Sequence, residues 1–100
     1  MKIITQMLGN GLTAKLEGKF SYAECSSFLK ETTAQLKTAA KTLVIDFEKV
    51  SYLDSSALGA LLMLRERASA SGKSIALSNC NGDVKDVIAI SNFHKIIPII

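Results

Sequence analysis

Residues 43–62, Leu43-Val44-Ile45-Asp46-Phe47-Glu48-Lys49-Val50-Ser51-Tyr52-Leu53-Asp54-Ser55-Ser56-Ala57-Leu58-Gly59-Ala60-Leu61-Leu62, change hydrophobic period midway. The first five are a near-continuous, β-branched apolar run, the pattern of a central strand with a covered face. Residues 55–71 switch to helical spacing, with Ala57, Leu58, Leu61, Leu62, Met63, Leu64 and Ala68 apolar and Arg65, Glu66 and Arg67 near the end. Asp54 is placed as the N-cap, Ser55 and Ser56 fall in the first turn, and Gly72 stands where a helix stops. Residues 48–53 read as a short loop joining strand to helix.

Outward from this segment the chain keeps alternating between strands and helices. Residues 3–8 and 12–17 flank Gly9-Asn10-Gly11, and Asn-Gly between apolar runs predicts an antiparallel hairpin. Leu12, Ala14 and Leu16 alternate with Thr13, Lys15 and Glu17, so one face of the second strand is buried. Ser21-Tyr22-Ala23-Glu24 has the form of a capping box and opens a helix ending near Ala39 or Ala40. Its apolar stripe is Tyr22, Cys25, Leu29, Thr32 and Leu36. The crossing from the second strand through this helix to residues 43–47 is a βαβ-type connection. Residues 74–78 supply a fourth strand, and Asp83 is placed to cap a short helix turning Val84, Val87, Ile88 and Ile90 inward. Residues 96–100 form a last apolar segment, which Pro98 confines to a sheet edge or a terminus.

Composition narrows the function classes. The chain has 100 residues, room for one core, and 48% apolar with 21% charged residues is ordinary for a globular domain. The net charge of +3 comes from twelve basic residues scattered singly, which argues against a nucleic-acid groove or an anionic membrane as partner. The longest apolar run, residues 58–64, falls far short of the roughly 20 residues a bilayer demands. Cys25 and Cys80 lie far apart with no metal-ligand spacing, and read as free thiols of a cytoplasmic protein. No phosphate-cradling glycine loop is present, so neither ATP nor any other cofactor is expected.

An enzyme using Ser55 or Ser56 as nucleophile is disfavoured. A nucleophile elbow needs Gly-x-Ser-x-Gly, whereas Leu53-Asp54-Ser55-Ser56-Ala57 stands here. His94, the one imidazole, follows Phe93 and reads as an ordinary surface or boundary residue. The helix start instead suits a modification. A phosphate on its first turn meets backbone N–H groups and the positive end of the helix dipole. It also sets about two negative charges beside Asp54, enough to repel a partner docked there.

Residues 43–62 resemble the signature of the STAS family, in which a strand and short loop lead into Asp-Ser-Ser/Thr-Gly/Ala-Leu-Gly and an apolar helix. The resemblance extends over nearly the whole chain, through the hairpin, Leu16-Glu17-Gly18, Val44-Ile45-Asp46-Phe47 and residues 84–97. It implies an α/β fold, a STAS-type mixed sheet of four to five strands with an N-terminal β-hairpin and about three helices, as a single domain over residues 1–100. In the family's bacterial anti-sigma factor antagonists, the serine after the aspartate is phosphorylated by an anti-sigma factor that is also a GHKL-type serine kinase. The matching residue is Ser55, with Ser56 as the alternative.

The implied role is partner switching in signal transduction and transcription regulation, without enzymatic activity of its own. Unphosphorylated antagonist captures the kinase and releases its target, and a PP2C-type phosphatase resets the modified form. The implied contact residues are Asp54, Ser55, Ser56, Leu58 and Ser21, with Leu61 or Leu62 helping Leu58 to anchor the helix. The expected state is a monomer or weak dimer. Two departures stand out: Ala57 replaces a frequent glycine, and Ser21 stands where many antagonists carry an acidic partner contact. The alternative is a constitutive STAS subunit that binds an ABC transporter ATPase.

Overall fold

The computed structural model describes residues 1–8, 11–38 and 40–100. In chain order its elements are β1 (Lys2–Leu8), β2 (Gly11–Phe20), α1 (Tyr22–Gln35), β3 (Thr42–Leu53), α2 (Ser55–Ala70), β4 (Ser74–Ser78) and α3 (Gly82–Ile90), then a single 3-10 turn, Phe93–Lys95. The sheet order is β1-β2-β3-β4, with β1 antiparallel to β2 and the other pairs parallel. The hairpin pairs without a break from Lys2↔Glu17 to Leu8↔Gly11, while Gly9 and Asn10 of its turn lie outside the described residues. Among the described residues, the segment 96–100 adds one bridge, Leu77↔Ile99, and the sheet has four strands.

All three helices bury residues in the same core as one face of the sheet. Ala14, Leu16, Ile45, Phe47 and Leu77 meet Phe28, Leu61, Leu64, Val84 and Ile88 in a single cluster. The other sheet face carries the alternate residues, Lys15 and Glu17 among them, and holds a buried carboxylate. Asp46 Oδ1 accepts from the Glu48 amide (2.9 Å) and from Asn79 Nδ2 (3.0 Å), which satisfies it and pins β3 to the end of β4.

Several local expectations shift. Residues 48–53 are strand, not loop. Val50 and Leu53 are buried, and β2 runs alongside to Lys19↔Tyr52 and Phe20↔Leu53 through two register shifts, with Gly18 at φ +109° absorbing the irregularity. The α1 stripe begins at Cys25. Tyr22, at the first helical position, is 80% exposed, and Phe28 packs inward against Phe20 with ring centroids 4.6 Å apart. The helix stops at Gln35, short of residues 39–40; the Thr38 hydroxyl donates to the Gln35 carbonyl (2.9 Å), and Lys73 Nζ donates to the carbonyls of Leu36 and Thr38. Ala39 lies outside the described residues. Asn81, not Asp83, is the N-cap residue of α3, and Ile90, two residues past Ile88 and off the Val84–Ile88 face, is 83% exposed.

The C-terminus of α2 behaves as expected. Gly72, at φ +71°, closes a Schellman motif in which the Lys73 amide donates to the Ala68 carbonyl (2.8 Å) and the Gly72 amide to that of Ser69 (3.0 Å). The long β2 and β3 end side by side. The Asp54 amide donates to the Phe20 carbonyl (3.4 Å), so the starts of α1 and α2 emerge together.

Candidate functional site

At this junction one carboxylate serves two helices. Asp54 has extended backbone angles (φ −114°, ψ 179°), and its Oδ1 accepts from the Ala57 amide at 3.0 Å, the N-cap bond that the sequence implied. Its Oδ2 accepts from the Tyr22 amide at 3.2 Å, capping α1 as well. The capping box expected at Ser21 lacks its hydroxyl-to-amide bond. Ser21 makes no side-chain cap; its hydroxyl donates instead to Glu24 Oε2 at 2.7 Å. That hydroxyl, with the nearby backbone, holds the Glu24 carboxyl below its ordinary range.

Ser55 is exposed in the first turn of α2, Ser56 is half-buried, and Ala57 is fully buried. Leu58 and Leu62 are partly buried against the core and Leu61 is completely buried, so the helix is anchored through Leu61 with Leu58 and Leu62 at its rim. Among the described residues no partner is recorded for the amides of Ser55 and Ser56, and α2 has no acidic residue in its first turn. The positive end of the helix therefore faces solvent with one carboxylate beside it.

The structure brings Ser21, Asp54, Ser55 and Ser56 together and adds Tyr22, which sequence reading placed inward. Its backbone amide is held by a bond spanning 32 residues, which no local pattern in the sequence announces. Cys25 sits at the same junction, its thiol donating to the Ser21 carbonyl (3.4 Å). Burial first, then the Asp54 and Glu24 charges, push its pKa up, which makes it a poor nucleophile. Burial likewise, with a contribution from Asp46, raises the Cys80 thiol to about 11.

At the junction Ser55 and Tyr22 are exposed. A recess of about 540 Å³ lies on the open sheet face by Ile4, Lys15 and Asp46, and one of about 280 Å³ lies between α3 and Ile99. Among the described residues no group of three metal-ligating side chains occurs, and no helix is long and apolar enough to cross a membrane. The His94 side chain lies outside the described residues. An exposed hydroxyl on a helix start suits contact with a macromolecule better than enclosure of a small one.

A family model described as Mlab, STAS domain matches residues 3–98. The STAS-domain containing protein PA14_20770 of Pseudomonas aeruginosa (strain UCBPP-PA14) is 35% identical over 91 residues, covering 91% of this chain and 89% of that protein. The anti-sigma factor antagonist SpoIIAA in its unphosphorylated form superposes with a TM-score of 0.82 at 19% identity, over 99% of this chain and 88% of the other. The Bacillus cell fate determinant SpoIIAA in its phosphorylated form does so with a TM-score of 0.72 at 18% identity, over 99% and 91%. At these identities the structural likeness is one of fold. The mixed four-stranded sheet, the helix start at Asp54 and the match over residues 3–98 make the chain a member of the STAS domain family, with the fold of the anti-sigma factor antagonist SpoIIAA.

Proposed function

We propose that this chain is a phosphorylation-controlled partner-switching protein. In its unphosphorylated form it binds an anti-sigma factor that is also a GHKL-type serine kinase, releasing what that kinase held. Phosphorylation of Ser55 ends the complex, and a PP2C-type phosphatase restores it. The observation that carries this reading is Ser55 itself, an exposed hydroxyl one residue after a carboxylate that caps both α1 and α2. Support also comes from SpoIIAA, a protein of the same fold described in both an unphosphorylated and a phosphorylated form.

Electrostatics explains why one phosphate suffices. A surface docked on the Asp54 junction meets the Asp54 carboxylate before modification and about two further negative charges beside it afterwards. The phosphate itself is accommodated, because the Ser55 and Ser56 amides and the helix dipole favour an anion there. Repulsion and desolvation therefore fall on the complex and not on the fold. Ser55 is favoured over Ser56 because a kinase must reach the hydroxyl, and Ser56 is half-buried. Phosphopeptide mapping of the protein recovered from its native host tests the assignment: phosphate on Ser55 is expected, and phosphate on Ser56 alone, or on neither, contradicts it.

A further inference from the structure

The two edges of the sheet are protected unequally. Along β4 the C-terminal segment covers the edge at Leu77: the Leu77 amide donates to the Pro98 carbonyl (2.9 Å), and the Ile100 amide donates to the Leu77 carbonyl (2.8 Å). Pro98 also blunts that segment, since it offers no donor to a further strand. At the other edge β1 pairs with β2 at all seven of its positions without a bulge, and among the described residues nothing pairs with its outer side. β1 has no proline, no acidic residue and a single lysine at its first position, and it exposes Ile4 at 41% and Met7 at 58%. Natural edge strands of this length are normally shielded by charge, proline, a bulge or a covering segment.

We propose that β1 is a self-association edge, on which two copies of this chain pair β1 to β1, antiparallel about a two-fold axis through Thr5. The strand is complementary to itself in that register. Antiparallel partners share a face, so Ile3 of one copy meets Met7 of the other on the helix side, and Ile4 meets Gln6 on the open side. Ile3 already packs against the core, so its pairing with Met7 continues the apolar layer across the axis. The lysines do not oppose it. The two Lys2 residues fall at opposite ends of the paired segment, about 20 Å apart at strand spacing, well beyond a Debye length of about 8 Å.

The contact is small. A seven-residue strand extends roughly 24 Å, and one strand pair falls below the area typical of stable interfaces, so the dimer is expected to depend on concentration. Self-association at β1 also leaves the α1 and α2 starts free, since these sit at the ends of β2 and β3. The proposal is thus independent of phosphorylation at Ser55.

Sedimentation velocity of the full chain from about 1 μM to about 1 mM tests it, with weight-average mass expected to climb toward twice that of the monomer. Thr5→Lys and Thr5→Glu each set like charges across the axis and are each expected to weaken the dimer by roughly tenfold at low salt. Mixing the two variants should restore it, while the neutral Thr5→Gln should match wild type. Circular dichroism of each variant checks that the fold is kept, which an exposed edge position favours. A wild-type chain monomeric throughout would overturn the proposal and leave the edge to a strand of a different protein. Thr5→Lys associating as strongly as wild type, or a mixture that stays monomeric, would overturn the register.

Discussion

The two ends of the α1–α2 helix pair are built on one plan with opposite signs. At the N-terminal end the Asp54 carboxylate accepts from an amide of each helix, Tyr22 and Ala57. At the C-terminal end the Lys73 ammonium, just past α2, donates to the Leu36 and Thr38 carbonyls that follow α1. Each charge has the sign that the local helix dipole favours, and each ties the two helices together. They differ in what remains unsatisfied. The C-terminal end closes on itself through the Schellman motif and the Arg67 Nη1 to Thr33 Oγ1 bond (2.9 Å). The N-terminal end keeps an exposed hydroxyl and an exposed aromatic, Ser55 and Tyr22. A closed end holds the fold, whereas an end with donors to spare is where a partner or a phosphate acts.

Substitutions that break each clamp should separate those roles. Asp54→Ala removes a cap from both helices and is expected to cost about 2 kcal/mol, read as the shift of the urea midpoint. Asp54→Asn retains an acceptor and should lose less. Lys73→Met leaves the two carbonyls to water and should cost about 1–2 kcal/mol while leaving partner capture untouched. Loss of capture in Lys73→Met at unchanged fold would erase the contrast between the ends. Gly72→Ala meets no steric obstacle but must hold φ +71°, so about 1 kcal/mol is expected from backbone strain alone.

The smallest effect is a pH dependence. Because Ser21 lowers the Glu24 pKa in the folded state, its contribution is present above the ordinary carboxylate range and is lost as pH falls through the lowered value. Urea midpoints of wild type and Ser21→Ala should therefore differ near neutral pH and converge on acidification. A gap that widened in acid would have the wrong sign.

The features legible in the sequence are those encoded by neighbours. The period change at residues 43–62, the Asp54 cap, the hairpin and the Gly72 stop each follow from residues within a turn or a strand pair, and each is present. The extension of β3 to Leu53 was missed because residues 48–53 mix charges with Val50 and Leu53, and their pairing depends on two register shifts against β2. Phe28 had a readable signal, its spacing of four to Thr32 and eight to Leu36, but Tyr22 fitted the same stripe. Tyr22 nevertheless lies in solvent, 80% exposed. The second bond of Asp54 and the reach of Lys73 span 32 to 37 residues, and local patterning carries no trace of them.

The most direct measurement is paired affinity capture from the native host, with Ser55→Ala and Ser55→Asp as baits and retained proteins identified by mass spectrometry. A serine-kinase-type ATPase held by the alanine bait and lost from the aspartate bait is the expected result. Retention of the same transporter ATPase by both baits would contradict it and make the Asp54 junction a structural cap in a constitutive subunit.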